Sequence, residues 1–255
     1  MTLIQADIPR DVVVVSGADA GQFLHSQLAA DIAELAVGHG VHSLLLEPTG
    51  HVCALLRVVR HRDHLYSIDV EAGFGGAVVD RLGRFILRSK VSMEQSDWLV
   101  RAFRGAAPAD RAGIDAPVDP GWGDVADFDV VGAPGALPEL GERTETEHVD
   151  KLRVDARWPR LGVDIIVGDI PATTGVLRAA ASFTKGCYPG QELVERMDAR
   201  GATAPVMLRV LSRDGVNAGS RVTEDGHDVG TVTSVGFTRA IARVARTSLL
   251  GEPLG

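Results

Sequence analysis

Cysteine is scarce in this chain, with only Cys53 and Cys187 among 255 residues. Two cysteines cannot form the disulfide framework of a small secreted protein, and they cannot supply the four thiolates that commonly hold an iron–sulfur cluster. Aromatic residues are also few, at 5%, so the core must consist mainly of Val, Leu, Ile and Ala. The cysteine content favours a reducing compartment, and we expect a cytoplasmic location.

Long hydrophobic runs and an excess of positive charge are also missing. The apolar run at 12–15 is ended by Ser16 and Gly17, which makes it too short for a signal-peptide core or a membrane span. The formal net charge of −8 argues against nucleic-acid binding driven by bulk charge, because phosphates need clustered cations. We therefore expect neither a membrane nor a nucleic acid as partner.

The first hundred residues alternate between strand and helix patterns. Apolar spacing predicts a helix after Asp19 that carries Phe23, Leu24, Leu28 and Ile32 on one face. Two apolar runs flank a Pro/Gly turn at 47–50, which is typical of a β-hairpin. The full set of predicted elements here comprises strands at 11–15, 44–46, 52–56 and 64–70 and helices from 19 and at 75–88.

The rest of the chain changes character twice. Residues 105–150 are rich in Gly, Pro and acidic side chains, which predicts loops around a short apolar run at 129–132. After Gly201 the pattern is all β, with Asp225-Gly226 as a tight hairpin turn. We predict three modules, 1–100, 101–200 with the loop-rich insert, and 201–255 as a small β domain.

The most informative stretch is KGCYPGQE at 185–192. Pro189 and Gly190 interrupt regular structure, and a helix is expected from Gln191. Cys187 should therefore lie in a loop just before a helix N-terminus, where the helix dipole and Lys185 both favour the reactive thiolate. Glu192 and Arg196 are spaced for an ion pair within that helix.

Free cysteines and isolated histidines usually have structural roles, so a functional role for any of them must be weighed against a structural one. Cys53 lies within an apolar strand and is expected to be buried and inert. For Cys187 the local sequence leaves a functional and a structural role equally open. The histidine pairs at 39 and 42 and at 61 and 64 lack further ligands nearby, so we expect no metal site.

The segment KGCYPGQE resembles the signature of the YgfZ family, which is similar to the aminomethyltransferase T-protein of the glycine cleavage system. Three further segments, at 16–32, 152–165 and 229–236, resemble the opening helix, the stretch before the signature and the C-terminal domain of these proteins. The resemblance leaves 100–150 unmatched. It implies an α+β fold in which a ring of modules surrounds a central folate site, with a C-terminal small β-barrel domain.

The resemblance also implies a function. It predicts binding of tetrahydrofolate or another reduced folate, and a role with iron–sulfur client or assembly proteins that requires Cys187. Lys185 is expected to act with this cysteine, and the remaining signature residues to shape the loop: Gly186, Tyr188, Gly190, Gln191, Glu192 and Arg196. Asp155, Arg157 and Trp158 could offer a carboxylate, a guanidinium and a flat ring to a folate. On residue type alone, a surface pair beside a buried tryptophan is the commoner explanation.

One departure from the T-proteins bears on chemistry. Those that transfer a methylene group carry an acidic residue in an early strand, whereas the matching stretch here, TGHVCA at 49–54, has none. His51 is the titratable candidate nearby. An accessory folate-binding protein is therefore favoured over a one-carbon transferase or demethylase acting on glycine-like substrates. A third alternative stays open, a binding module whose folate site is vestigial and whose signature loop docks a protein.

Overall fold

The computed structural model describes residues 2–123, 126–200 and 204–254. It contains three β-sheets with helices packed around them. The strands are β1 (Ile4–Ile8), β2 (Arg10–Ser16), β3 (Gly40–Leu46), β4 (Val52–Arg62), β5 (Leu65–Glu71), β6 (Ser92–Ser96), β7 (Leu99–Arg104), β8 (Phe128–Gly132), β9 (Glu142–Arg143), β10 (Val206–Ser212), β11 (Arg221–Glu224), β12 (His227–Val235), β13 (Arg239–Ala245) and β14 (Glu252–Pro253). The α-helices are α1 (Ala20–Gln27), α2 (Gly75–Gly83), α3 (Thr146–Asp155), α4 (Leu177–Ala180) and α5 (Gln191–Arg200).

The first sheet has five strands in the order β3-β4-β5-β2-β6 and carries the largest apolar core. The predicted hairpin is confirmed, because β3 and β4 pair antiparallel on either side of the turn at 47–51. β4 and β5 are long apolar strands with buried charged residues, Arg57 and Asp69, at directly opposed positions. This sheet therefore brings charge into an otherwise apolar layer.

The second sheet has the order β8-β7-β1-β9. Its strand β1 comes from the chain start and pairs antiparallel with β7, while β9 adds a short parallel contact. The predicted boundary at residue 100 therefore divides β7. The first strand of the predicted 1–100 module, β1, belongs to the second sheet. The short apolar run predicted at 129–132 lies within β8, so the loop-rich stretch contributes one buried strand to this sheet.

The third sheet is formed by the C-terminal residues, in the order β11-β12-β13-β10-β14 with antiparallel pairing throughout. The Asp225-Gly226 turn is confirmed, with positive φ at both residues (51° and 80°), as a two-residue hairpin of this kind requires. The strand pairs described run from an edge at β11 to an edge at β14. The predicted β domain is thus an antiparallel sheet, and these pairs do not close it into a barrel.

Two predicted helices are shorter than expected. Helix α1 ends at Gln27, and Leu28 is already extended, so Leu28 and Ile32 reach the core from the segment after the helix. Helix α2 ends at Gly83 and leaves Phe85 40% exposed beyond it. The apolar spacing correctly predicted that Leu28 and Ile32 are buried, but it overestimated the length of the helix. Tertiary contacts can bury a residue in a helix or in an extended segment. Within the described residues, no helix is long and apolar enough to cross a membrane.

Candidate functional site

A cavity of about 290 Å³ lies where the first and second sheets meet helix α3. The first sheet contributes its wall through β2, β3, β4 and β5, and the segment before β8 covers another side. Charged, apolar and aromatic side chains alternate around it. The lining residues are Ile8, Pro9, Arg10, His42, Arg57, Asp69, Glu71, Pro120, Trp122, Asp129, Thr146, Glu147, Val149, Asp150, Arg153, Trp158 and Arg160.

A chain of buried ion pairs forms the floor of this cavity. Arg57 donates to Asp69 at 2.9 Å and to Asp129 at 2.7 Å. Arg10 binds the other side of Asp69 at 2.9 Å, and Arg104 binds the other oxygen of Asp129 at 2.8 Å. The two carboxylates therefore alternate with three guanidinium groups, and this alternation joins the first sheet to the second.

The electrostatics of these pairs favour the charged forms. Burial alone opposes ionisation of Asp69, but Arg57 and Arg10 outweigh it and hold the pKa of this carboxyl below its ordinary value. Asp129 follows the same pattern, since Arg104 and Arg57 lower its pKa against the cost of burial. Burial would lower the pKa of Arg57, yet its two carboxylate partners raise it. The floor is thus charged throughout the physiological range.

Aromatic rings form the walls. The ring of His42 packs against Trp158 with a centroid separation of 4.6 Å, and Trp122 lines another part of the cavity. Nε2 of His42 lies 2.8 Å from the carbonyl oxygen of Pro120, an acceptor, so Nε2 carries the proton. Burial and the charge of Arg57 lower the pKa of His42 to about 4, which keeps the ring neutral.

The structure separates the three residues that were predicted to contact folate. The carboxylate of Asp155 accepts hydrogen bonds from the backbone N–H groups of Phe237, Thr238 and Arg239 at 3.0 Å. It therefore holds the β12–β13 turn against helix α3, and its predicted role in a ligand site is replaced by a structural one. A carboxylate held by several N–H donors has little capacity left for a ligand.

Arg157 and Trp158 diverge from each other. Arg157 adopts a positive φ of 64° after helix α3 and pairs with Glu252 at 3.0 Å and with the Pro253 carbonyl at 2.7 Å. It faces a second, larger cavity of about 910 Å³ beside the C-terminal residues. Trp158 lines both cavities. Of the three predicted residues, Trp158 alone reaches the charged cavity within the described part of the chain.

Lys185 anchors the signature loop. Its ammonium donates to the carbonyl oxygens of Leu28 at 2.7 Å and Ala30 at 3.0 Å, and also to that of His25. These acceptors lie at and just beyond the end of helix α1. Burial lowers the pKa of Lys185 to about 8. The sequence predicted a cation for the Cys187 thiol; the described contacts direct it to the chain after α1 instead.

The rest of the signature forms a loop followed by helix α5, as predicted. Cys187 is exposed, whereas Tyr188 is buried against the core of the first sheet. Gly190 has a φ of 82° and approaches the β3–β4 turn so closely that a Cβ would lie 2.8 Å from the Glu47 carbonyl oxygen. This close approach requires glycine. None of 185–192 lines the charged cavity in the region that the structure describes.

The first turns of helix α5 make different contacts from those predicted. Gln191 donates to Glu195 at 2.9 Å. Among the described contacts, Glu192 and Arg196 form no ion pair, and Arg196 is exposed. Gly186 is also exposed and has open space around its Cα. These residues therefore present a polar surface next to Cys187.

Cys53 lies in a small cluster at the same hairpin. Its thiol donates to Glu47 at 3.3 Å, and Arg81 lies 3.5 Å from the other oxygen of that carboxylate. Burial and then Glu47 raise the pKa of Cys53 to about 12. The thiol is therefore protonated at neutral pH, as expected for an inert cysteine. Although TGHVCA has no carboxylate of its own, Glu47 brings one next to it in space.

The ionic floor was missed at the sequence level. Arg57, Asp69 and Asp129 interrupt apolar strand runs, and each lies among residues that are otherwise buried. A charged residue at an inward position of an apolar strand is uncommon unless it is paired. That anomaly was the available signal, but the sequence could not identify the partners, which lie up to 72 positions apart.

No protein-family model matches the chain. It is 26% identical over 246 residues to an uncharacterized protein of Haemophilus influenzae, covering 88% of this chain and 80% of that one. It is 28% identical over 258 residues to the tRNA-modifying protein YgfZ of Enterobacter sp. strain 638, covering 90% and 76% of the two chains. The protein of that name from Klebsiella pneumoniae is 26% identical over 243 residues, with 86% and 72% covered.

A structural relative agrees with these matches. The crystal structure of the glycine cleavage system aminomethyltransferase T from Bartonella henselae has a TM-score of 0.76 at 18% identity, covering 96% of this chain and 78% of that one. The shared fold spans all three sheets, including the stretch at 100–150 that the sequence resemblance left unmatched. The chain is thus similar in sequence to YgfZ proteins over most of its length, and it has the fold of the glycine cleavage T-protein.

Proposed function

We propose that this protein binds a reduced folate in the charged cavity and serves as an accessory factor for iron–sulfur enzymes through Cys187. The observation that carries the proposal is the combination of aromatic walls and a floor of buried ion pairs in one cavity of about 290 Å³. Few classes of ligand need both an aromatic wall and a charged floor. A pterin does, because it has a flat ring and an edge of amide-like donors and acceptors.

The lining residues fit such a ligand. Trp158 and Trp122 offer faces to a ring, and the carboxylates of Asp69 and Glu71 retain acceptor capacity beyond their pairs with Arg10. Arg160 is partly exposed beside Asp150 and is suited to a carboxylate on the ligand tail. When bound, a reduced folate supplies a nitrogen pair that carries one-carbon units; the protein residues orient it and shield it from water.

Cys187 would act outside this cavity. It is exposed on a loop that Lys185 ties to the end of helix α1 and that packs through Gly190 on the β3–β4 turn. A thiol presented in this way suits contact with a protein surface better than contact with an enclosed small ligand. We infer that Cys187 and the polar start of helix α5 face an iron–sulfur client or assembly protein.

The folate proposal is tested by isothermal calorimetry and thermal shift with tetrahydrofolate. We expect saturable binding and a rise in melting temperature, since a ligand that binds only the native state stabilises it by mass action. Trp158→Ala should weaken binding, while Trp98→Ala, outside the cavity lining, should not. Absence of heat and of any thermal shift at millimolar ligand would refute the proposal.

A one-carbon transferase is the second candidate, and the T-protein fold is the observation that favours it. Against it, Glu47 is bound to Cys53 and Arg81 and does not belong to the described lining of the cavity. We therefore expect no turnover with tetrahydrofolate and an aminomethylated lipoyl donor. A robust rate in that assay would make the protein an aminomethyltransferase.

A further inference from the structure

We propose that residues 119–123 form a removable wall of the charged cavity and that Trp122 on this wall contacts the bound ligand. The segment belongs to the loop-rich stretch at 105–150, to which no functional role was predicted from the sequence. The inference rests on the proposed folate site for the identity of the ligand. The mobility of the wall is a separate question that can be measured without any ligand.

Three contacts seat the wall on the rest of the cavity. His42 on β3 donates from Nε2 to the carbonyl oxygen of Pro120 at 2.8 Å. Arg57 reaches the carbonyl oxygen of Asp119 at 3.4 Å, a long hydrogen bond. The guanidinium of Arg104 lies over the Trp122 ring at 4.3 Å from its centroid. Each contact joins this segment to a residue of the first two sheets through an isolated polar or cation–π interaction.

The backbone of the wall is suited to movement. Gly121 and Gly123 flank Trp122 and have φ angles of 79° and 92°. Glycine adopts this region without strain, so rotation at the two positions costs little. In contrast, the flanking backbone is fixed by reciprocal hydrogen bonds between Val118 and Asp129 at 2.8 and 2.9 Å. The wall can therefore move while the strand beside it stays in place.

The wall packs closely on His42 at Gly121. A Cβ at Gly121 would lie 2.6 and 2.7 Å from atoms of the His42 ring and 3.5 Å from Trp158. Such a separation forces either the segment or the histidine to shift. His42, Trp158 and the wall therefore pack directly on one another. A ligand that enters between the wall and these two rings must displace the wall outward.

Trp122 is the residue on the wall that would contact a ligand. It lines the cavity, and Arg104 fixes its ring from one side. Arg104 itself is buried, with Nε and Nη2 making no hydrogen bond among the described residues. The stacking on Trp122 thus provides a partner for a guanidinium that is only partly paired with Asp129, and it orients the indole.

The test compares Gly121→Ala with Gly113→Ala in a Trp98→Phe background, so that both remaining tryptophans line the cavity. Gly113 has the same φ of 79°, but its added Cβ would meet nothing within 4 Å. Comparing the two variants therefore separates the effect of the contact with His42 from the effect of backbone strain. We expect acrylamide quenching to rise about twofold in Gly121→Ala and to stay unchanged in Gly113→Ala.

A second variant reaches the wall from the opposite side. His42→Ala removes the hydrogen bond to Pro120 without altering the loop. Because the His42 ring also covers Trp158, this variant and its parent additionally carry Trp158→Phe, so that Trp122 alone reports, and quenching should rise in the same way. This variant decides the matter if Gly121→Ala does not fold. Equal quenching of His42→Ala, Gly113→Ala and the parent would overturn the removable wall.

The ligand contact is tested by calorimetry with tetrahydrofolate. Trp122→Ala should weaken binding about tenfold and Trp122→Phe much less, in line with the energy of an aromatic pair. Unchanged affinity in Trp122→Ala would overturn the contact while leaving the folate site intact. If the parent binds no folate, the proposed function and the Trp122 contact both fail, whereas the quenching comparison still decides the wall.

Discussion

Arg57 on β4 and Asp129 on β8 form an ion pair of 2.7 Å that joins the first and second sheets. Both side chains are almost fully buried, and each has a second partner, Asp69 for the arginine and Arg104 for the aspartate. A buried charge without its partner is costly, so these four residues depend on one another.

Asp129→Asn should destabilise the protein by about 3–5 kcal/mol, because it leaves Arg57 and Arg104 buried without their shared counter-charge. Urea unfolding followed by circular dichroism measures the loss. Asp63→Asn is the control, since Asp63 pairs with Arg60 at the surface and should cost less than about 1 kcal/mol. A loss in Asp129→Asn no larger than in the control would show that the buried network does not stabilise the fold.

The same pair predicts how stability depends on pH. The pKa of Asp129 is lower in the folded protein than its ordinary value of about 3.9. Its contribution is therefore complete above that ordinary value and is lost as the pH falls through the lower, folded value. The stability difference between wild type and Asp129→Asn should be constant from about pH 6 to 8 and shrink below about pH 4. A difference that grows with acid would contradict this assignment.

The two cysteines should differ in reactivity. Cys187 is exposed, while burial and Glu47 raise the pKa of Cys53 to about 12. Iodoacetamide at neutral pH should therefore modify Cys187 in the native protein and Cys53 only after unfolding, as mapped by peptide mass spectrometry. Cys187→Ser should remain unlabelled when folded. Equal labelling of both sites in the native protein would exclude a protected Cys53.

Replacing Lys185 should affect the fold as well as the loop. Lys185→Met leaves three carbonyl oxygens at and just beyond the end of helix α1 without their donor, a loss of about 1–3 kcal/mol. Lys151→Met is the matched control, because Lys151 pairs with an exposed Glu147 on helix α3. Thermal unfolding compares the two. Equal melting temperatures would contradict the anchoring role of Lys185.

Asp155→Ala should lower stability without changing folate affinity. The carboxylate holds the turn at 237–239 against helix α3, and its removal should cost about 1–3 kcal/mol. Under conditions where the variant is folded, its affinity for tetrahydrofolate should equal that of wild type. A selective loss of affinity with unchanged stability would restore Asp155 to the ligand site.

Sequence reasoning succeeded where the determining interactions are local. The β3–β4 hairpin, the Asp225-Gly226 turn and the start of helix α5 all depend on turn residues and on neighbours a few positions away. The signature at 185–192 and three supporting segments also predicted the similarity to YgfZ proteins, because a specific run of residues can be recognised without a structure. Burial of Leu28 and Ile32 followed from apolar spacing, although the helix around them was too long.

Tertiary structure decided what the sequence left open. Contacts between residues far apart in the chain decide which sheet includes β1, which acid pairs with Arg57 and which carbonyl oxygens accept from Lys185. A lysine near a cysteine in sequence predicts an electrostatic partnership, but the long side chain can point elsewhere, and here it does. Asp155 and Trp158 are three positions apart yet face different neighbours, since helix α3 ends between them. Sequence determined the local elements and the resemblance to YgfZ proteins. The packing of distant strands determined the cavity, because only packing sets which buried charges meet.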